Sequence, residues 1–172
     1  MAEIERTKEA AEIWQRALEA KDDKDYTKAI AEYSKLLELL PNDNDTFKIS
    51  AYEWKKDDIC YWRGFCFEQT DQPEKALDDY SKAISINPNE AGHYSTRSGI
   101  YLALGETEKA KADLEKAVGM NQKDAAKYYC LFGVALEKYT GDKREAAKYL
   151  KKSIELGDFY GSAKNKLDKW GM

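Results

Sequence analysis

One frame of a dozen residues occurs four times in this chain, and that repetition constrains the fold more than any other feature. It reads Tyr26-Thr-Lys-Ala-Ile-Ala-Glu-Tyr-Ser-Lys-Leu-Leu, then Pro73-Glu-Lys-Ala-Leu-Asp-Asp-Tyr-Ser-Lys-Ala-Ile. It returns as Thr107-Glu-Lys-Ala-Lys-Ala-Asp-Leu-Glu-Lys-Ala-Val, and in weaker form as Lys143-Arg-Glu-Ala-Ala-Lys-Tyr-Leu-Lys-Lys-Ser-Ile. Ala29, Ala76, Ala110 and Ala146 anchor the frame at intervals of 47, 34 and 36 residues. The first interval is the second plus an insertion of 13 residues. A period in this range marks a supersecondary unit that stacks on its neighbours to bury an apolar face.

A second amphipathic segment precedes each frame, with a small residue near its centre: Ala17, Gly64, Ser98 and Gly133. Between segment and frame lie the turns Asp22-Asp-Lys-Asp, Thr70-Asp-Gln-Pro, Leu104-Gly-Glu-Thr and Thr140-Gly-Asp-Lys. Glycine inside a helix costs about 1 kcal/mol relative to alanine. Gly64 and Gly133 therefore require a close helix approach, each expected to face the small alanine of its partner helix. Pro73 suits a first helical turn, where its missing N–H loses nothing. Asp142 and Glu145 read as a capping pair, and Pro41 and Pro88 close the second helices.

This pattern of paired helices resembles the tetratricopeptide repeat (TPR) family, whose period is 34 residues. The resemblance runs from about residue 10 to residue 157 and is strongest in the middle two repeats. It implies an all-α fold: a right-handed α-α superhelix of about four helical hairpins with a C-terminal capping helix. The expected boundaries form a single domain over 1–172, with repeats at about 10–43, 57–90, 91–124 and 126–157. An insertion of about 42–56 and a capping helix of about 158–170 complete it. Nine or ten helices and no β-sheet are expected. The insertion holds Phe47, Ile49, Tyr52 and Trp54, and its charge and lack of Pro or Gly suggest helix. The tail is amphipathic through Phe159, Ala163, Leu167 and Trp170, as a cover for the exposed face of a terminal repeat.

Charge placement supports the register independently. Arg16 and Glu32, Arg63 and Asp79, and Arg97 and Asp113 are each 16 residues apart. This predicts one ion pair across each of the first three hairpins. In the fourth hairpin Phe132 and Tyr149 stand at these positions, which predicts an apolar contact instead.

Composition excludes several function classes. The net charge of −4 and pI of about 5.3 disfavour nucleic acid, which selects for a basic excess. No apolar run approaches the roughly 18 residues of a membrane span. The stretch from Met1 to Leu18 is charged and amphipathic rather than a secretory signal, so a cytoplasmic location is expected. Cys60, Cys66 and Cys130 include no CxxC pair, and His93 is the only histidine. They are read as reduced, partly buried residues rather than metal ligands. There is no Walker loop, GxGxxG or HExxH motif. The expectation is a non-enzymatic protein without cofactor or metal.

What remains is an interaction face. In the family that this chain resembles, the first helices of successive repeats line a concave surface. Alignment places Trp14, Gln15 and Leu18 there from repeat one, and Tyr61, Trp62 and Phe65 from repeat two. Ser95, Thr96 and Gly99 follow from repeat three, and Cys130, Leu131 and Val134 from repeat four. The candidate binding residues are Trp14, Leu18, Tyr61, Trp62, Phe65, Thr96 and Leu131, since exposed aromatic and apolar groups anchor partners. A TPR subclass that binds acidic chaperone tails uses a clamp of Lys, Asn and Arg. Its positions here hold Trp14, Leu18, Trp62, Gly92 and Thr96 in one register, and Tyr61, Phe65, Thr96, Lys127 and Leu131 in the other. Only Lys127 fits, so that activity is not expected. The expected function is a scaffold or adaptor that binds another protein or a peptide, with no nucleic acid or membrane partner. The alternative is a self-associating module in which Phe159, Trp170 and the last repeat meet a second copy.

Overall fold

Each repeated frame forms the second helix of a hairpin, and the segment before it forms the first. The computed structural model describes residues 2–40, 42, 46–49, 52–157 and 161–172. The hairpins are α1 (Ala2–Asp22) with α2 (Tyr26–Leu39), α3 (Lys56–Gln69) with α4 (Pro73–Ile86), α5 (Ala91–Ala103) with α6 (Thr107–Met120), and α7 (Ala125–Thr140) with α8 (Lys143–Glu155). A further helix, α9 (Ser162–Trp170), packs on α8. The fold is all-α in class, with nine α-helices among the described residues.

Local chemistry sets the helix starts. Asp25 and Asp142 accept the backbone N–H of Lys28 and Glu145, at 3.1 and 2.9 Å. Each capping bond satisfies one of the donors that a helix N-terminus leaves unpaired. Pro73 opens α4, as its fixed φ and missing N–H favour.

The insertion departs from expectation. It contains a β-hairpin of β1 (Thr46–Ile49) and β2 (Tyr52–Lys55), antiparallel, with Phe47 opposite Trp54 and Ile49 opposite Tyr52. Aromatic and β-branched residues alternate with Lys48 and Glu53, and that period of two is the strand signature. The hairpin is confined to the insertion and leaves the repeat frame intact: β1 packs on α1, and β2 runs directly into α3. Lys55 N–H donates to the Asp58 carboxylate at 2.9 Å across that junction.

The chain divides into two compact units, Met1–Pro88 and Asn89–Met172, each carrying two of the hairpins. In the first, Ala10, Ile13, Trp14, Ala17, Tyr33, Leu36, Ile59 and Cys66 belong to one buried cluster. In the second, Leu102, Leu114, Tyr128, Phe132 and Leu136 form the main cluster. Ala147 and Leu150 of α8 join Ala163 and Leu167 of α9 in a smaller one, so α9 caps the last hairpin. Each large apolar side chain so buried contributes about 1.5–3 kcal/mol. Phe159 lies outside the described residues.

The predicted ion pairs are present. Arg16 meets Glu32 at 3.0 Å, Arg63 meets Asp79 at 2.7 Å, and Arg97 meets Asp113 at 2.7 Å. Arg63 also donates to the Ser34 hydroxyl at 3.1 Å and so ties α3 to the preceding hairpin. In the fourth hairpin the Phe132 and Tyr149 rings meet with centroids 4.6 Å apart. The small residues serve close packing: Gly64 meets larger neighbours than the expected Ala76, whereas Gly133 meets the expected Ala146 together with Leu150. A Cβ on Gly64 would lie 3.1 Å from the Tyr80 ring and 3.2 Å from the Asp79 Cβ. One on Gly133 would lie 2.9 Å from a Leu150 methyl and 3.1 Å from the Ala146 carbonyl oxygen.

Candidate functional site

The first-helix faces carry the residues that alignment singled out, and the two units treat them differently. In Met1–Pro88, α1 and α3 supply an aromatic cluster. Tyr61 and Trp62 meet edge-on with centroids 5.2 Å apart, and Trp62 meets Phe65 at 6.0 Å. Phe65 continues to Tyr26 at 6.2 Å. Lys21 Nζ lies over the Trp62 ring, 5.0 Å from its centroid. Tyr61, Trp62, Phe65 and Leu18 are all half-buried. Leu18, Trp62 and Phe65 rest on the core beneath, which leaves one side of each side chain to solvent.

Trp14 corrects the sequence reading. It is 1% exposed and belongs to the core. Its ring stands 5.6 Å from Tyr33 on one side and 4.4 Å from Trp54 of the hairpin. The inserted strand covers the position where alignment placed a binding residue, so Trp14 is a support and not a contact. Ser95 is likewise buried rather than groove-facing.

In Asn89–Met172 the corresponding face is plain. α5 presents Gly92, Thr96 and Gly99, and the Thr96 hydroxyl donates to the Gly92 carbonyl at 3.0 Å. α7 lies alongside: a Cβ on Gly99 would sit 3.8 Å from that of Ala135. Leu131 projects from α7 at 48% exposure, whereas Cys130 and Val134 are partly buried against the α8–α9 cluster. Lys127 and Lys138 lie four residues before and seven after Leu131, so all three share one helix face. The sequence reading missed Lys21, Tyr26 and Lys138. The spacing of Lys127, Leu131 and Lys138 was the available signal for the last.

The chemistry of these faces is apolar contact with cationic edges. Burial pushes the Cys60 thiol up to about 12 and the Cys66 thiol up to about 11, which favours the unreactive protonated form. No group of His, Cys, Asp and Glu among the described residues is placed to hold a metal ion. No described helix is long and apolar enough to cross a membrane.

Family models described as tetratricopeptide repeat match residues 58–90, 94–124 and 126–156, more than half of the chain. The chain belongs to the tetratricopeptide-repeat family. Those matches coincide with the second, third and fourth hairpins; the first is recognised from its frame, its ion pair and its packing. No curated protein matches the chain. Solved structures match in fold. MamA from Desulfovibrio magneticus RS-1, from residue 41 onward, is 22% identical over 86% of this chain and 75% of its own, with a TM-score of 0.66. YrrB, described as a TPR protein with an unusual peptide-binding site, is 16% identical over 92% and 74%, with a TM-score of 0.68. The first TPR of Spaghetti (RPAP3), bound to the HSP90 peptide SRMEEVD, is 24% identical over 66% and 89%, with a TM-score of 0.53. Repeats of this family are ordinarily non-catalytic and support protein interaction, so the chain is a protein-interaction scaffold in that general sense.

Proposed function

We propose that the scaffold binds a peptide or protein segment through the concave face that first helices line in this family. In Met1–Pro88 the anchor is the cluster Leu18, Tyr61, Trp62 and Phe65; in Asn89–Met172, Thr96 and Leu131 mark that unit's own contact face. The observation that carries this is the half-buried aromatic row on α3, seated on a core that fixes it yet leaves part of each ring in water. Rings held in place by their own packing lose little freedom when a partner covers them, which is why aromatic residues dominate binding energy. Peptide-bound relatives of the same fold give the reading context.

The test is selection of peptides from a random display library on the full chain. Polarisation titrations of the enriched peptides then compare the parent, Trp62→Ala and Leu131→Asp. Trp62→Ala should weaken binding by more than about 1 kcal/mol while the fold persists in circular dichroism. Unchanged binding in both variants rejects these faces as the site. Loss of the folded signal in Trp62→Ala, with Leu131→Asp binding normally, makes Trp62 a core residue and removes the anchor.

A further inference from the structure

Charge is distributed unevenly along this chain. Met1–Pro88 contains 13 basic and 20 acidic residues, whereas Asn89–Met172 contains 15 and 12, so the net charges are −7 and +3. The positive excess concentrates in the last hairpin and its cap. On α8, Lys148 and Lys152 are paired with Glu145 and Glu155, but Arg144 and Lys151 are exposed and make no ion pair among the described residues. These two are seven residues apart and therefore lie on one face, about 10 Å along the axis. The exposed Ile154, one turn beyond Lys151, and Leu156 at the helix end add an apolar fringe at 39% and 46% exposure. The second helices of the preceding repeats differ: α4 exposes Glu74 and Asp78 beside Lys75 and Lys82, α6 exposes Glu108 and Glu115 beside Lys109 and Lys116, and α2 exposes Lys28 and Lys35, of which Lys35 is paired with Glu32.

The complementary pattern stands on α1. Glu12 and Glu19 are exposed and also seven residues apart; among the described residues Glu12 makes no ion pair, and Glu19 accepts the Gln15 amide. Asp23, four residues on, extends the same stripe, and the half-exposed Arg16 between Glu12 and Glu19 is held by its ion pair with Glu32. We infer that the α8 face of one copy docks the α1 face of a second copy, with Arg144 and Lys151 opposite Glu19 and Glu12 and with Ile154 and Leu156 at the edge. This contact uses neither the aromatic cluster on α3 nor Leu131, and so does not depend on the peptide-binding reading. Opposed charges on exposed helices give weak, salt-screened attraction, so the association is one that populates at high protein concentration and low ionic strength.

Sedimentation velocity on the full chain tests it, from about 5 µM to about 500 µM protein at about 50 mM and about 500 mM NaCl. The expected result is concentration-dependent association at low salt that weakens about tenfold or more at high salt. Glu12→Lys with Glu19→Lys, and separately Arg144→Glu with Lys151→Glu, should each leave the chain monomeric. An equimolar mixture of the two double variants should associate again, because each supplies the face that the other has lost. Melting by circular dichroism verifies that both variants are folded, as their exposed positions lead one to expect. A chain that stays monomeric at low salt overturns the inference, and so does association that survives both charge reversals. Failure of the mixture to recover while both variants remain folded overturns the α1–α8 pairing.

Discussion

A methyl group added at three glycines should have three different effects. Gly119 lies near the end of α6, exposed, and nothing stands within 4 Å of a Cβ built there. Alanine at that position removes backbone freedom from the unfolded chain without a clash, a gain of about 0.5–1 kcal/mol. At Gly64 the same gain is opposed by the Tyr80 ring edge at 3.1 Å and the Asp79 Cβ at 3.2 Å, both side-chain atoms able to yield a few tenths of an ångström. The net effect of Gly64→Ala should be near zero to about 1 kcal/mol destabilising. At Gly133 the new methyl would sit 2.9 Å from Leu150 Cδ2, 3.0 Å from its Cγ and 3.1 Å from the Ala146 carbonyl oxygen. The carbonyl is backbone in the first turn of the crossing helix α8 and cannot rotate away, so α7 and α8 must separate. Overpacking of this kind costs about 1–3 kcal/mol, which exceeds the helix-propensity gain. Equilibrium urea unfolding followed by circular dichroism measures all three. The reasoning requires the order Gly119→Ala, Gly64→Ala, Gly133→Ala from most to least stable. If Gly133→Ala were as stabilising as Gly119→Ala, the α7–α8 approach would be looser than described and the close-packing account of the helical glycines would be wrong.

The cross-hairpin ion pairs should differ in worth according to burial. Arg16 is about half exposed, so Arg16→Ala should cost less than about 1 kcal/mol, whereas Arg63→Ala leaves the buried Asp79 without its guanidinium and should cost about 3 kcal/mol in the same urea assay. The Lys35 hydrogen bond, helped by Arg16, holds the Glu32 carboxyl below its ordinary 4.5. Its stabilising effect is complete above that value and is lost as pH falls through the lower, folded-state one. The stability difference between parent and Glu32→Gln, followed by urea unfolding across pH, should thus be constant near neutrality and shrink in the acid limb below about 4.5. Trp54→Ala should bare the Trp14 ring, which is measurable as red-shifted tryptophan emission and increased binding of an apolar dye, with the α3–α4 hairpin unaffected; emission unchanged apart from the lost fluorophore would show that the strand does not cover Trp14.

Much of the scaffold was legible because it is local and repeated. The frame anchored on Ala29, Ala76, Ala110 and Ala146 located four second helices, and the interval of 16 residues from Arg to Asp or Glu found three real ion pairs. The interval works because it is a geometric constant of a helical hairpin with a fixed turn length, and exchange to Phe132 and Tyr149 preserves the position while changing the interaction. Gly64 and Gly133 were recognised as packing residues, and Ala146 as a neighbour of Gly133, but not the Tyr80 ring at Gly64 or the Leu150 side chain at Gly133. A period identifies which helices cross; it does not say whether an alanine, a tyrosine ring or a leucine fills the crossing.

The insertion was the least legible part, and it decides whether Trp14 is exposed. Within it, charge and the absence of Pro and Gly favoured helix, while alternation through Phe47, Ile49, Tyr52 and Trp54 favoured strand. Alternation prevailed in two paired strands, and Trp54 of the second strand packs on the Trp14 ring of α1. The consequence reaches the candidate site. Alignment treats Trp14 and Tyr61 as equivalent positions in successive repeats, yet the first is 1% exposed with Trp54 of the strand against it, and the second stays partly exposed. A repeat alignment predicts which positions face the shared surface; it is blind to a non-repeated element lying on that surface. The hairpin thus covers Trp14 of the first repeat, and the aromatic row of this unit stands instead on α3, where Tyr61, Trp62 and Phe65 follow one another with Lys21 over the Trp62 ring.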